Sequence, residues 1–174
     1  MNCSGRCSWL AVAALASALA GGCAGYRLGP TNGVPAGLRS VQVTYFQNLT
    51  PQPRVSEAID VSLRRALQQD GTYRLATSDG ADIVVSGQVV RYERPALSFQ
   101  VNETRALQDY RLRLVAQVKA VDRVTGRVLF DRELTGSTVV RAGTDQSGVE
   151  RQALPLAADD LARRATGLLT DGEW

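Results

Sequence analysis

Apolar and polar residues alternate most cleanly from Tyr110 to Asp122. Tyr110, Leu112, Leu114, Ala116, Val118 and Ala120 fall on one side of an extended chain, and Arg111, Arg113, Gln117 and Lys119 on the other. A period of two with one polar side predicts a strand in a sheet covered on one face only. Val128 to Val140 repeats the alternation through Val128, Phe130 and Leu134. If even-numbered residues point inward on both strands, paired positions sum to an even number, so Asp122 to Arg127 should form an odd-length hairpin loop. Gly126 is available there for a positive φ. Asp82 to Glu93 is β-branched and bounded by Pro95, and Leu38 to Phe46 alternates Val41, Val43 and Tyr45 against Gln42 and Thr44. Both read as strands. Tyr73 to Ala76 is a short extended piece before a turn at Ser78, Asp79 and Gly80.

Two stretches change to helical spacing. Val55, Ala58, Ile59, Leu63, Ala66 and Leu67 make one stripe from about Val55 to Gln69, and Gly71 supplies the stop. Leu154, Ala157, Ala158, Leu161, Ala165 and Leu168 make a second, ending near Gly172. Pro155 either occupies the first turn, where its missing N–H costs nothing, or interrupts a helix that began near Gly148. Arg94 to Asp109 reads as a loop, with Leu97 to Val101 continuing a strand, and Arg141 to Gly148 is polar. The order predicts an α+β fold: a small mixed, mostly antiparallel β-sheet with two amphipathic helices packed on one face, a β-α-β-β-β-α roll. A domain of this size buries roughly 70% of its unfolded surface, enough to fold without staples.

The first residues belong to a different pattern. Trp9 to Ala20 is an apolar run far shorter than the ~20 residues of a membrane-spanning helix, and it follows a short segment bearing Arg6. This is the layout of a secretory signal peptide. Ala20, Gly21 and Gly22 then lead directly into Cys23, which resembles the lipobox of bacterial lipoproteins, with Leu19 one place further from the Cys than usual. The resemblance implies cleavage before Cys23 and acylation of its thiol. With more than one acyl chain the anchor is durable. The alternative is an ordinary signal peptide with a free Cys. Ala24, not Asp, follows the Cys, which favours sorting to the outer membrane. The chain divides into a signal peptide (1–22), a lipidated tether (23–37) and one domain (38–174). The tether is rich in Gly and Pro and reaches about 20 Å as a random coil.

Composition narrows the chemistry. The 174 residues include no His, which removes His-based acid–base catalysis, Ser-His and Cys-His nucleophiles and almost every zinc enzyme site. The three Cys all lie at or before position 23, so the domain itself has no disulfide or Cys metal cluster. Phosphate-cradling glycine motifs are absent, the single Lys119 has no Ser-Lys spacing, and Asp159 and Asp160 point about 100° apart on a helix. No catalytic residue, cofactor or metal site is expected. A net charge of +3 is too small to argue for nucleic acid. What remains is arginine: Arg91 and Arg94 close one strand, Arg105 lies in the following loop, and Arg111 and Arg113 open the next. If the two strands pair antiparallel, these gather at one end of the sheet and could grip phosphates. The competing reading is a solvated face balanced by Glu93, Glu103 and Asp109.

The order of segments resembles the LptE family of lipopolysaccharide-assembly lipoproteins. Gly22-Cys23-Ala24-Gly25-Tyr26-Arg27-Leu28 stands at the anchor, then VQVTYFQNLT (41–50), the first amphipathic helix, and ADIVVSGQVVRYER (81–94). YRLRLVAQVKAVDRVTGRVLFDRELTGS (110–137) and ADDLARRATGLL (158–169) follow. The resemblance implies a non-enzymatic α/β roll, tethered to the outer membrane and lodged in an LptD-type β-barrel. There it would support barrel assembly and help deliver lipopolysaccharide to the cell surface. Arg91, Arg94, Arg105, Arg111 and Arg113 would then be candidate contacts for lipid A phosphates, with Cys23 as the lipid attachment. The opening strand, helix and ADIVVSGQV also look like periplasmic lipoproteins that activate a peptidoglycan synthase or form secretion complexes. That reading stays open here.

Overall fold

The computed structural model describes residues 36–96, 109–141 and 146–172. In chain order these form β1 (Ser40–Val43), β2 (Gln47–Asn48), α1 (Val55–Asp70), β3 (Arg74–Leu75), β4 (Ile83–Glu93), β5 (Asp109–Asp122), β6 (Val128–Arg141) and α2 (Gln146–Asp171). The sheet order is β3-β1-β4-β5-β6, and β2 continues along the same edge of β4 as β1. The short β1, β2 and β3 pair in parallel, whereas the long β4–β5 and β5–β6 ladders are antiparallel. Both helices cover one face, and the fold is the expected α+β roll.

The core sits between that face and the helices. On β5 every even position from Tyr110 to Ala120 is buried, as its alternation predicts. Val55, Ile59, Leu63 and Leu67, four apart on α1, are buried against it, and Gly71 at φ 73° ends the helix by donating its N–H to the Leu67 carbonyl. Arg64 lies beside this stripe, yet its guanidinium donates to the Val43 carbonyl at 2.7 Å and ties α1 to β1. Ala157, Ala158, Leu161, Ala162, Ala165 and Leu169 form the buried stripe of α2. Gly136 is the closest approach of strand and helix: a Cβ there would strike the Ala157 carbonyl and Leu161. Only glycine lets α2 lie this low on β6.

Four local expectations change. The first strand ends at Val43, and the register against β4 slips by one residue between Val43↔Val85 and Gln47↔Gln88. The slip inverts the faces, so Tyr45 is 74% exposed and Phe46 is fully buried. On β6 the even register holds from Tyr110↔Val140 to Ala120↔Phe130, but Leu129 then bulges, pairing resumes at Val121↔Val128, and Val128 faces solvent. The bulge therefore sits in the strand, and the Asp122 N–H donates to the Arg127 carbonyl across a loop whose φ-positive residue is Gly126. Finally, α2 starts at Gln146 and runs through Pro155, so the interrupted-helix alternative is the observed one. Leu97 to Val101 lies outside the described residues.

Asp160 also does more than solvate a helix. Its carboxylate accepts the Ser137 N–H of the outermost strand at 3.0 Å and pairs with Arg163 and Arg164. It thereby occupies a donor that β6 would otherwise offer to another strand.

Candidate functional site at the arginine-bearing end of the sheet

The two helices run parallel. Glu150 near the start of α2 lies beside Tyr92 and Tyr110, while Tyr73, just beyond α1, donates to the Leu169 carbonyl near the end of α2. The sheet thus has two unlike ends. One holds Gly37, Thr72, Asp82 and Asp122; the other holds the end of β4, the start of β5 and the start of both helices.

Antiparallel pairing of β4 and β5 brings Arg91, Arg94, Arg111 and Arg113 to that second end. A bulge divides them. Val89 pairs with Ala116 and Arg91 with Val115, leaving Val90 as an extra residue that inverts the faces beyond it. Ile83, Val85 and Val89 point to the core before the bulge, and Tyr92 and Arg94 turn to the helix side after it. Arg91 and Glu93 turn outward, onto the face that carries Arg113.

On the outer face the charges form a chain. Arg91 donates to Glu133 at 2.7 Å and pairs with Glu93 at 3.2 Å, and Arg113 reaches Glu93 at 3.5 Å. The hydrogen bond to Glu133 lifts the Arg91 pKa further above its ordinary value. Val115, opposite Arg91 and Thr135, is only 2% exposed amid this polar face. Arg111 makes no ion pair among the described residues, and its backbone N–H donates to the Pro95 carbonyl.

On the inner face Glu150 gathers three partners. The Arg94 guanidinium lies 3.3 Å away, and the Tyr110 and Tyr92 hydroxyls donate at 3.4 and 3.5 Å. Arg94 also stacks over the Tyr92 ring at 5.1 Å. Burial, and next the Glu150 charge, push both tyrosines above their ordinary pKa, since each disfavours a phenolate. Glu150 and Glu133 were not legible as partners: each comes from another element, with no spacing that points to Arg94 or Arg91. Cys23 and Arg105 lie outside the described residues.

Among the described residues this end is built of ion pairs and tyrosine hydroxyls, an arrangement suited to holding an anion. Three guanidiniums, of Arg91, Arg94 and Arg113, pair with three carboxylates, so an incoming phosphate would compete with Glu93, Glu133 and Glu150 for charge-assisted hydrogen bonds. Among the described residues no cluster of His, Cys, Asp and Glu could hold a metal ion, and no helix is long and apolar enough to cross a membrane.

The LptE family model, described as lipopolysaccharide-assembly, matches residues 38–166. The chain belongs to the LptE family. The match runs from before β1 into the last turns of α2, so this LptE-family domain is recognised through its whole sheet. Its fold also occurs in solved structures of low identity. Protein XCC0632 from Xanthomonas campestris superposes with a TM-score of 0.56 at 16% identity, covering 84% of this chain and 91% of that one. The hypothetical protein CT253 from Chlamydia trachomatis gives 0.53 at 11%, covering 75% and 97%. A minor lipoprotein from Acinetobacter baumannii gives 0.50 at 17%, covering 76% and 92%. At these identities the likeness is one of fold. No curated protein matches the sequence significantly. LptE-family membership places the chain in lipopolysaccharide assembly, the work of a non-enzymatic lipoprotein family.

Proposed function

We propose that the protein is an outer-membrane lipoprotein that lodges in an LptD-type β-barrel, supports its assembly and takes part in passing lipopolysaccharide to the cell surface. The family match over residues 38–166 carries this reading. Cys23 is its lipid attachment, residues 1–22 its signal peptide and residues 23–37 its tether. The arginine-bearing end is the contact for lipid A phosphates, with Arg91, Arg94, Arg111 and Arg113 as its described members and Arg105 as a further candidate. The partly exposed guanidiniums support this, because they can trade a carboxylate for a phosphate without being unburied.

Extraction in mild detergent followed by co-purification tests the partner. A stoichiometric outer-membrane barrel is the expected companion, whereas a peptidoglycan synthase or a homo-oligomeric ring overturns the reading. Cys23→Ala should abolish acyl labelling. Arg91→Glu, Arg94→Glu and Arg113→Glu together should weaken lipopolysaccharide binding by the purified protein, and unchanged binding with an intact fold removes the arginine contact.

A further inference from the structure

The second helix is built against its own best geometry at one point. Pro155 supplies no N–H, so the Arg151 carbonyl one turn earlier lacks its helical donor. Across from it, Arg54 at the start of α1 is held at φ 64°, a left-handed conformation that is unfavourable for a non-glycine residue. Between these irregular turns runs an open groove of ≈ 790 Å³. That is within the ~300–1,000 Å³ typical of ligand clefts. Its apolar floor comes from Ala58, Val61, Leu154 and Pro155.

The described rim of the groove carries more cations than anions. Arg54 pairs with Glu57 at 3.8 Å and Glu150 is taken by Arg94, but Arg65 and Arg151 on the rim form no ion pair among the described residues. Because the helices run parallel, the positive ends of both helix dipoles lie at one end of the groove, nearer Arg151 than Arg65. The polar lining decides between kinds of anion. Gln52 and Ser62 lie among the apolar residues of the lining, and Pro155 offers the Arg151 carbonyl no helical donor. An acyl chain would cover such polar groups without pairing them. A polypeptide brings backbone N–H and C=O groups that pair with them.

We propose that this groove is a docking site for an apolar, acidic segment of a partner protein, its carboxylates held by Arg65 and Arg151. The proposal goes beyond the function proposed above and does not require that the barrel supply the segment. Fluorescence anisotropy with the purified full-length protein in detergent tests it. The probe is a short fluorescein-labelled peptide alternating Leu with Asp, and its control is the Lys counterpart. Saturable binding of the Asp peptide is expected, weakened at least ~10-fold by Arg65→Glu with Arg151→Glu, with preference reversed toward the Lys peptide. Val61→Trp, at a position 51% exposed, should block the floor and weaken binding similarly. Equal binding of the Asp peptide by wild type and both variants, with unchanged thermal unfolding, overturns the proposal. So does binding to phosphatidylglycerol vesicles that depends on Arg65 and Arg151 when peptide binding does not, which assigns the groove to lipid. Self-association abolished by the same substitutions, without peptide binding, assigns it to a second copy and likewise overturns the proposal. Barrel co-purification is read separately, so either idea can fail alone.

Discussion

The two ends of the sheet use carboxylates in opposite ways. At the Gly37 end, Asp82 accepts both the N–H and the hydroxyl of Ser40, at 2.7 and 2.8 Å. Asp122 accepts Arg39 at 2.6 Å and the N–H groups of Val124 and Thr125 at 2.9 and 3.1 Å. These acids finish loops and lock β1, β4 and β5 together. At the arginine end the acids pair with long, partly exposed guanidiniums, and the neighbouring turns are strained or interrupted. Backbone-held acids have one arrangement, whereas guanidinium partners can be exchanged. One end fixes the fold, and the other is the end proposed to bind.

The largest expected effect tests the fixed end. Asp122→Ala should destabilise the protein by about 2–4 kcal/mol in urea unfolding, because it strands Arg39 and two turn donors. A loss no greater than that of a surface substitution would erase the contrast. Acid should reveal the same asymmetry. The Asp82 pKa is lowered chiefly by the Ser40 backbone and hydroxyl bonds. For Asp122, burial opposes the shift, but the Thr125 N–H and Arg39 outweigh it and the pKa again falls. Their stabilisation is therefore complete above the ordinary aspartate range and is lost as pH falls through that range toward the lowered folded values. Asp82→Asn with Asp122→Asn should flatten this limb of the stability–pH curve.

The arginine-bearing end should respond weakly or in the other direction. Arg54→Gly should stabilise by about 0.5–1 kcal/mol, since glycine adopts the left-handed conformation without a Cβ penalty and loses part of that gain to its own entropy. Differential scanning calorimetry would show it as a raised Tm. Arg91→Ala should shift the urea midpoint no more than an ordinary surface substitution does, despite its two ion pairs, because half of that side chain is exposed. A shift as large as that of Asp122→Ala would make this end structural after all. The smallest effect is spectroscopic: Glu150→Gln should move the late tyrosinate titration of Tyr92 and Tyr110 to lower pH by removing the adjacent negative charge.

How legible each region was follows from its periodicity. β5 and α1 could be read because one side of each meets the core along its full length, and the residues record that burial position by position. The joint between β1 and β2 could not, because the slip after Val43 is a property of the pairing with β4, and Tyr45 and Phe46 are equally apolar. The same holds at Val90. The sequence places Arg91, Arg94, Arg111 and Arg113 near one another, but only the bulge decides which of them meet Glu133 and which meets Glu150. Pro155 left two helix starts open. Val149, Ala153 and Leu154 packing on the core resolve them in favour of Gln146.

The parallel helices set a lever, since Gly37 is held against Thr72 just beyond α1 and the groove opens toward the other end of that helix. At ~1.5 Å per residue the 16 residues of α1 separate the Gly37 end from the far rim of the groove by about 25 Å. A domain fastened to a bilayer through Gly37 carries its groove at the tip of that lever and sweeps it through a shell whose radius also includes the tether. A segment fixed to the same bilayer within the shell is met at an effective concentration set by geometry, not by abundance. In the tethered arrangement proposed above, changing the length of residues 23–37 would tune encounter at the groove without altering a contact within it.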